Sequence, residues 1–147
     1  MSRGHAAAAL RQAVYARAGG CCEYCLVPED FALVPHQIDH IVAQKHGGQT
    51  VAANLALCCT LCNQHKGSDV AALDPDTGLP VALYHPRRDS WIDNFQLAET
   101  QIVPKTPQAR ATVRLLQINK AERLAERALL IAVDQFTPPN AGPEETR

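Results

Sequence analysis

Aromatic residues are scarce in this chain: one Trp, three Tyr and three Phe, or 5% of 147 residues. A core with so few rings must rest on Leu, Val, Ile and Ala. An excess of charge of either sign is also missing, with 14 Lys and Arg against 15 Asp and Glu and a pI near 6.6. Bulk electrostatics therefore gives no argument for a polyanionic partner, although a local basic face averages out of a net charge. No stretch approaches the roughly 20 apolar residues of a membrane span. The first ten residues hold one Arg and a short Ala run, without the apolar segment and cleavage site of a secretory leader. The expectation is a cytoplasmic protein with no membrane partner. Internal repeats and low-complexity tracts are absent as well. The length suits one domain, or one small domain with an appendage.

What the chain does have is six cysteines. In a reducing compartment they point to metal rather than to disulfides. Four of them form two Cys-x-x-Cys knuckles, Cys22-Glu-Tyr-Cys25 and Cys59-Thr-Leu-Cys62, separated by 33 residues, 26 to 58. Each knuckle can present two thiolates from one tight turn, and two knuckles complete a tetrahedral zinc site. Cys22, Cys25, Cys59 and Cys62 are the expected ligands. Cys21 and Cys58 sit beside them, and the knuckle spacing selects 22 and 59. Four cysteines close the coordination sphere, so the zinc is expected to be structural. The alternative is a set of buried apolar cysteines or a redox pair, but redox proteins of that kind use a single knuckle.

Along the chain, His5 to Ala18 reads as a helix with Leu10, Val14 and Tyr15 on one face, ended by Gly19-Gly20. Gln37 to Val42 reads as a strand anchored by Ile38 and Ile41-Val42. Gly47-Gly48 marks a loop, and Asn54 to Leu57 is a short strand or a helical turn. A short helix is expected to begin at Asn63, since Asn favours helix starts. Residues 74–80 form a turn, and Val81 to Tyr84 and Phe95 to Val103 are strand candidates. Thr106-Pro107 is an N-cap followed by Pro at the first helical position, opening a helix over 107–118. A second helix over 119–134, capped by Asn119, has Leu124, Ala128 and Ile131 on one face.

Between the knuckles the chain carries Asp39-His40-Ile41-Val42, Gly47-Gly48 and Asn54-Leu55-x-Leu57-x-Cys59-x-x-Cys62-Asn63-x-x-Lys66-Gly67. In this order the pattern resembles the HNH endonuclease family. Leu83 to Ile131, with His85-Pro86-Arg87-Arg88, Trp91, Phe95 and Pro104-x-x-Pro107, is similar to the C-terminal extension of small stand-alone bacterial members. The resemblance implies an α+β fold: a ββα-metal finger stapled by the structural zinc, with an N-terminal helix and a helical extension. It implies an endonuclease that hydrolyses DNA with one divalent cation, Mg²⁺ or Mn²⁺. His40 would be the general base, Asp39 and Asn63 the ligands of that cation, and Asn54 the brace that orients His40. Asn63 falls where many relatives have a third His, which makes this an H-N-N variant.

The implied organisation is a nuclease domain over 1–75, an extension over 76–136 and a disordered tail over 137–147. His65 and Lys66 are candidate substrate contacts: His65 is a phosphate contact or a solvated helix residue in preference to a third metal-side ligand, and Lys66 is a phosphate contact or an ordinary exposed lysine. His46 reads as a loop residue, and His36 flanks the strand. Arg87-Arg88, Lys105, Arg110 and Arg114 make either a DNA-tracking face or a scattered solvated surface. Trp91 and Phe95 read as core. Two rival readings stand beside the nuclease. One is a non-catalytic zinc module that binds nucleic acid or protein. The other is a nickase acting within a larger restriction or phage system, with a protein partner or a second copy of the chain.

Overall fold

Helix α1 (Ser2–Ala18) is rich in alanine and is stopped by Gly19 and Gly20, whose φ angles of 63° and 73° lie in the left-handed region. The computed structural model describes residues 2–139, so the end of the expected disordered tail, 140–147, lies outside the described residues. Val14 on α1 is fully buried against Leu55 and Leu57, with Leu10, Tyr15, Ala18 and Ile38 packed around it. Burying one such aliphatic side chain contributes about 1.5–3 kcal/mol.

Strands β1 (Gln37–His40) and β2 (Leu55–Cys58) pair antiparallel, with Gln37 opposite Cys58 and His40 opposite Leu55. All four β2 residues are buried. α1 covers β2, and the first knuckle docks on its other edge. There Glu23 donates its N–H to the Leu57 carbonyl and accepts the Leu57 N–H on its carboxylate, both at 2.8 Å. Helix α2 (Thr60–Lys66) follows at once. It starts before Asn63, not at it: Cys59 is the N-cap, its sulfur accepting the Cys62 N–H at 3.4 Å. The knuckle turn is thus the first turn of the helix, and Asn63 lies inside it. Gly67, at φ 53°, ends it.

The chain divides into two compact units between Val70 and Ala71. The second opens with a hairpin of β3 (Ala71–Leu73) and β4 (Pro80–Ala82). Asp74 organises its turn, accepting from the Asp76 N–H and the Thr77 hydroxyl, each at 3.1 Å, and from Arg110 at 2.7 and 2.8 Å. A short helix α3 (Trp91–Asn94) leads to β5 (Phe95–Ala98) and β6 (Gln101–Pro104). The expected single strand over 95–103 is therefore a hairpin, reversed at Glu99, which takes φ 57°. Trp91 and Phe95 are core, as expected, and the Phe95 ring packs against Tyr84 at 5.0 Å and Trp91 at 5.2 Å.

Helix α4 (Pro107–Leu116) begins with Thr106 accepting the Ala109 N–H at 3.0 Å. It ends two residues earlier than expected, because Gln117 turns left-handed. Helix α5 (Ala121–Ala132) has Lys120 as N-cap. Asn119 instead clips β6, exchanging hydrogen bonds with the N–H and C=O of Ile102 at 3.0 and 2.9 Å. The buried residues of α5 are Arg123, Arg127 and Leu130. Both guanidiniums donate to carbonyls, of Leu116 for Arg123 and of Ile118 and Thr100 for Arg127. No helix among the described residues is long and apolar enough to cross a membrane.

Candidate active site and metal centre

Cys22, Cys25, Cys59 and Cys62 are buried, and their sulfurs all lie within 4.8 Å of one another. A tetrahedron of Zn–S bonds near 2.3 Å sets neighbouring sulfurs about 3.8 Å apart, and Cys25 and Cys59 stand at 3.7 Å. Backbone N–H groups support each knuckle, Cys25 donating to the Cys22 sulfur at 3.5 Å and Cys62 to that of Cys59. Burial works against ionising Cys22, but hydrogen bonds from its neighbours overcome this and hold its thiol well below the usual range. The same crowding pushes Cys59 and Cys62 up, first through their contacts with Cys22. A divalent cation relieves that conflict by coordinating all four as thiolates at once. The donor set fits a structural zinc. Among the described residues it is the one such cluster of His, Cys, Asp or Glu ligand atoms.

Asp39 and His40 close β1 just beyond this cluster. Asp39 is 5% exposed, and its carboxylate accepts the Tyr24 hydroxyl at 3.1 Å and pairs with Lys66 at 3.2 Å. Burial raises its carboxyl above the ordinary range, and Lys66, then Tyr24, pull it back. Tyr24 is held protonated, first by its own burial and then by the charge of Asp39. His40 is half-buried, and its Nε2 lies 2.8 Å from the Thr50 hydroxyl.

Asn54 ties the loop between β1 and β2. Its side chain accepts the Val42 N–H at 2.9 Å and donates to the carbonyls of Val42 at 3.0 Å and Gln49 at 2.9 Å, while its own carbonyl accepts the Ile41 N–H at 2.8 Å. Gly48 lets the loop close. A Cβ there would sit 1.7 Å from the Val42 carbonyl oxygen and 2.8 Å from the Asn54 amide nitrogen. Sequence spacing suggests a brace at Asn54, and these are the contacts it makes.

Helix α2 turns Asn63 and Lys66, three residues apart and so on one face, toward Gln37 and Asp39, which alternate onto one face of β1. Asn63 donates its amide N–H to the Gln37 side chain. Lys66 is only 2% exposed and also donates to the Ile41 carbonyl at 3.0 Å. It is therefore neither an ordinary exposed lysine nor a surface cation open to a phosphate, because its ammonium already serves Asp39 and the strand end. His65 is half-buried on another side of α2. His46 is exposed in a single turn over Gln44–His46, and His36 is buried with Nε2 on the Val27 carbonyl at 2.8 Å. Of the expected basic face, Arg110 is committed to Asp74 and Asp76. Sequence reading missed Tyr24, Gln37 and Thr50. Tyr24 had a signal, its place inside the first knuckle, whereas Gln37 and Thr50 belong to no motif.

The HNH endonuclease family model matches residues 22–69, a span that holds both knuckles, the β1–β2 pair and α2. Those elements and the cysteine cluster form a ββα core consistent with a zinc-stapled finger of that family. No curated protein and no solved structure matches the chain closely enough to add to this.

Proposed function

We propose that the HNH domain at residues 22–69 hydrolyses DNA phosphodiester bonds, with His40 as the general base that takes a proton from the attacking water. The observation that carries this reading is a convergence within one finger: Asp39 and His40 at the end of β1, beside a loop braced by Asn54. Helix α2 brings Asn63 to β1 through Gln37. An imidazole can accept a proton near neutral pH, and only a fixed ring does so efficiently.

Asp39 and Asn63 are the proposed ligands of a divalent cation, Mg²⁺ or Mn²⁺. Their oxygens suit a hard ion. Asn63 commits its amide nitrogen to Gln37, and its Oδ1 has no protein partner among the described residues. When bound, such a cation neutralises charge on the phosphate and on the leaving oxygen. Lys66 keeps the Asp39 carboxylate ionised and aimed. His65, at the helix surface, is the proposed phosphate contact.

The test is supercoiled plasmid incubated with Mg²⁺ or Mn²⁺, using wild type and a zinc-replete His40→Ala variant. Wild type is expected to nick or linearise the plasmid, and the variant to be slower by about 10²-fold or more. Cleavage by neither protein in any divalent metal replaces this reading with a non-catalytic zinc module. Equal cleavage by both removes the base assignment.

A further inference from the structure

We infer that Thr50 is a positioning residue that fixes the ring of His40 through Nε2 and leaves Nδ1 as the basic atom. This inference rests on the nuclease reading above and names the part of the loop that carries it out. The Thr50 hydroxyl lies 2.8 Å from His40 Nε2 and takes a second hydrogen bond from the Gln44 side-chain amide at 3.3 Å. A hydroxyl oxygen has two acceptor sites. It can accept Nε2–H and the Gln44 N–H together. With the proton held on Nε2, the lone pair of a neutral imidazole is on Nδ1, which has no hydrogen-bond partner among the described residues. The reverse arrangement, with Thr50 donating to Nε2, would put the proton on Nδ1 and consume the only lone pair.

The loop fixes the hydroxyl independently of His40. Asn54 holds the Gln49 carbonyl at 2.9 Å, one residue before Thr50, and holds both polar groups of Val42. Gly48 closes on the Val42 carbonyl with no room for a side chain. Thr50 is thus carried to the ring by a braced turn. This gives Asn54 a route to His40: it secures the segment whose hydroxyl holds the imidazole.

The test uses full-length, zinc-loaded protein labelled with ¹⁵N at histidine. Long-range ¹H–¹⁵N spectra of neutral His40 report which nitrogen bears the proton. Cleavage of a duplex oligonucleotide is measured on the same samples as kcat and KM. Wild type is expected to show the Nε2–H form. Thr50→Val, which keeps the shape and removes the hydroxyl, is expected to lose that preference and to drop kcat about tenfold, a fraction of what a general base supplies, with KM unchanged. Thr50→Ser is expected to restore both to within about twofold of wild type. The same tautomer and kcat in wild type and Thr50→Val overturn the inference, as does an Nδ1–H form in wild type. A wild type with the Thr50-dependent tautomer that leaves DNA uncut keeps the orienting role and removes the nuclease reading.

Discussion

Lys66 is the residue whose environment departs furthest from its sequence context. A lysine near the end of a seven-residue helix is ordinarily solvated, yet here it lies beneath the β1 end with its ammonium on Asp39 and Ile41. Removing one member of a buried pair leaves a charge without compensation and typically costs about 3–5 kcal/mol, whereas replacing both by apolar or neutral groups costs far less. Lys66→Ala is therefore expected to lower the urea-unfolding free energy of zinc-loaded protein by about 3 kcal/mol or more. Asp39→Asn combined with Lys66→Met should recover most of that loss while remaining inactive. A Lys66→Ala protein that unfolds like wild type but binds DNA poorly would return Lys66 to the substrate. The Asp39-His40 pair was legible because a carboxylate and an imidazole between two knuckles form a pattern. Tyr24, Thr50 and Lys66 take their partners through folding across 10 to 27 positions, and no local spacing records such contacts.

At the scale of elements, the knuckles were readable since their geometry is local: two thiols in one turn need two residues between them. The same locality hid the start of α2. Asn63 has a cap residue's composition, but the Cys59 sulfur already caps the helix and the zinc turn fixes its first residues. In the second unit the helix α5 forms and Leu124, Ala128 and Ile131 are half-buried along it, but the reading was incomplete for a different reason. The deepest burial lies one position over, at Arg123, Arg127 and Leu130, where the two arginines satisfy carbonyls at the end of α4 and beyond. An arginine with carbonyl partners can be buried, and a hydropathy pattern does not register that. The dependence of α2 on the knuckle leads to a prediction. Structural zinc contributes on the order of 10 kcal/mol to small zinc domains, comparable with the whole stability of a domain at about 5–15 kcal/mol. Zinc removal by a chelator, or Cys59→Ser, is expected to abolish amide protection across residues 22–66 in hydrogen exchange. If protection at Leu57 and Cys62 survives in zinc-free protein, the cysteines are packing residues.

For the molecule as a whole, the near-neutral charge conceals how its cations are used. Fourteen Lys and Arg face fifteen Asp and Glu, and several of the fourteen are committed inside the fold. Lys66 serves Asp39, Arg110 serves Asp74 and Asp76, and Arg123 and Arg127 serve backbone carbonyls. Arg17 donates to the carbonyls of Ala52 and Leu55 at 3.0 and 2.7 Å. The Arg110 guanidinium also holds the Asp74 carboxyl well below its ordinary range, so this pair stays charged across the range in which DNA is stable. Those five leave nine of the fourteen Lys and Arg, and each phosphate neutralised steepens the fall of affinity with salt by about 0.9 in the log–log slope. A protein that reads DNA through one finger, with two to four phosphate contacts, should show a slope of roughly −2 to −4. Fluorescence anisotropy of a labelled duplex titrated with inactive His40→Ala protein, from low to moderate NaCl, measures it. A slope near −8 would require a broader basic track than one finger's two to four phosphate contacts. It would point instead to a second copy or a protein partner on the same DNA.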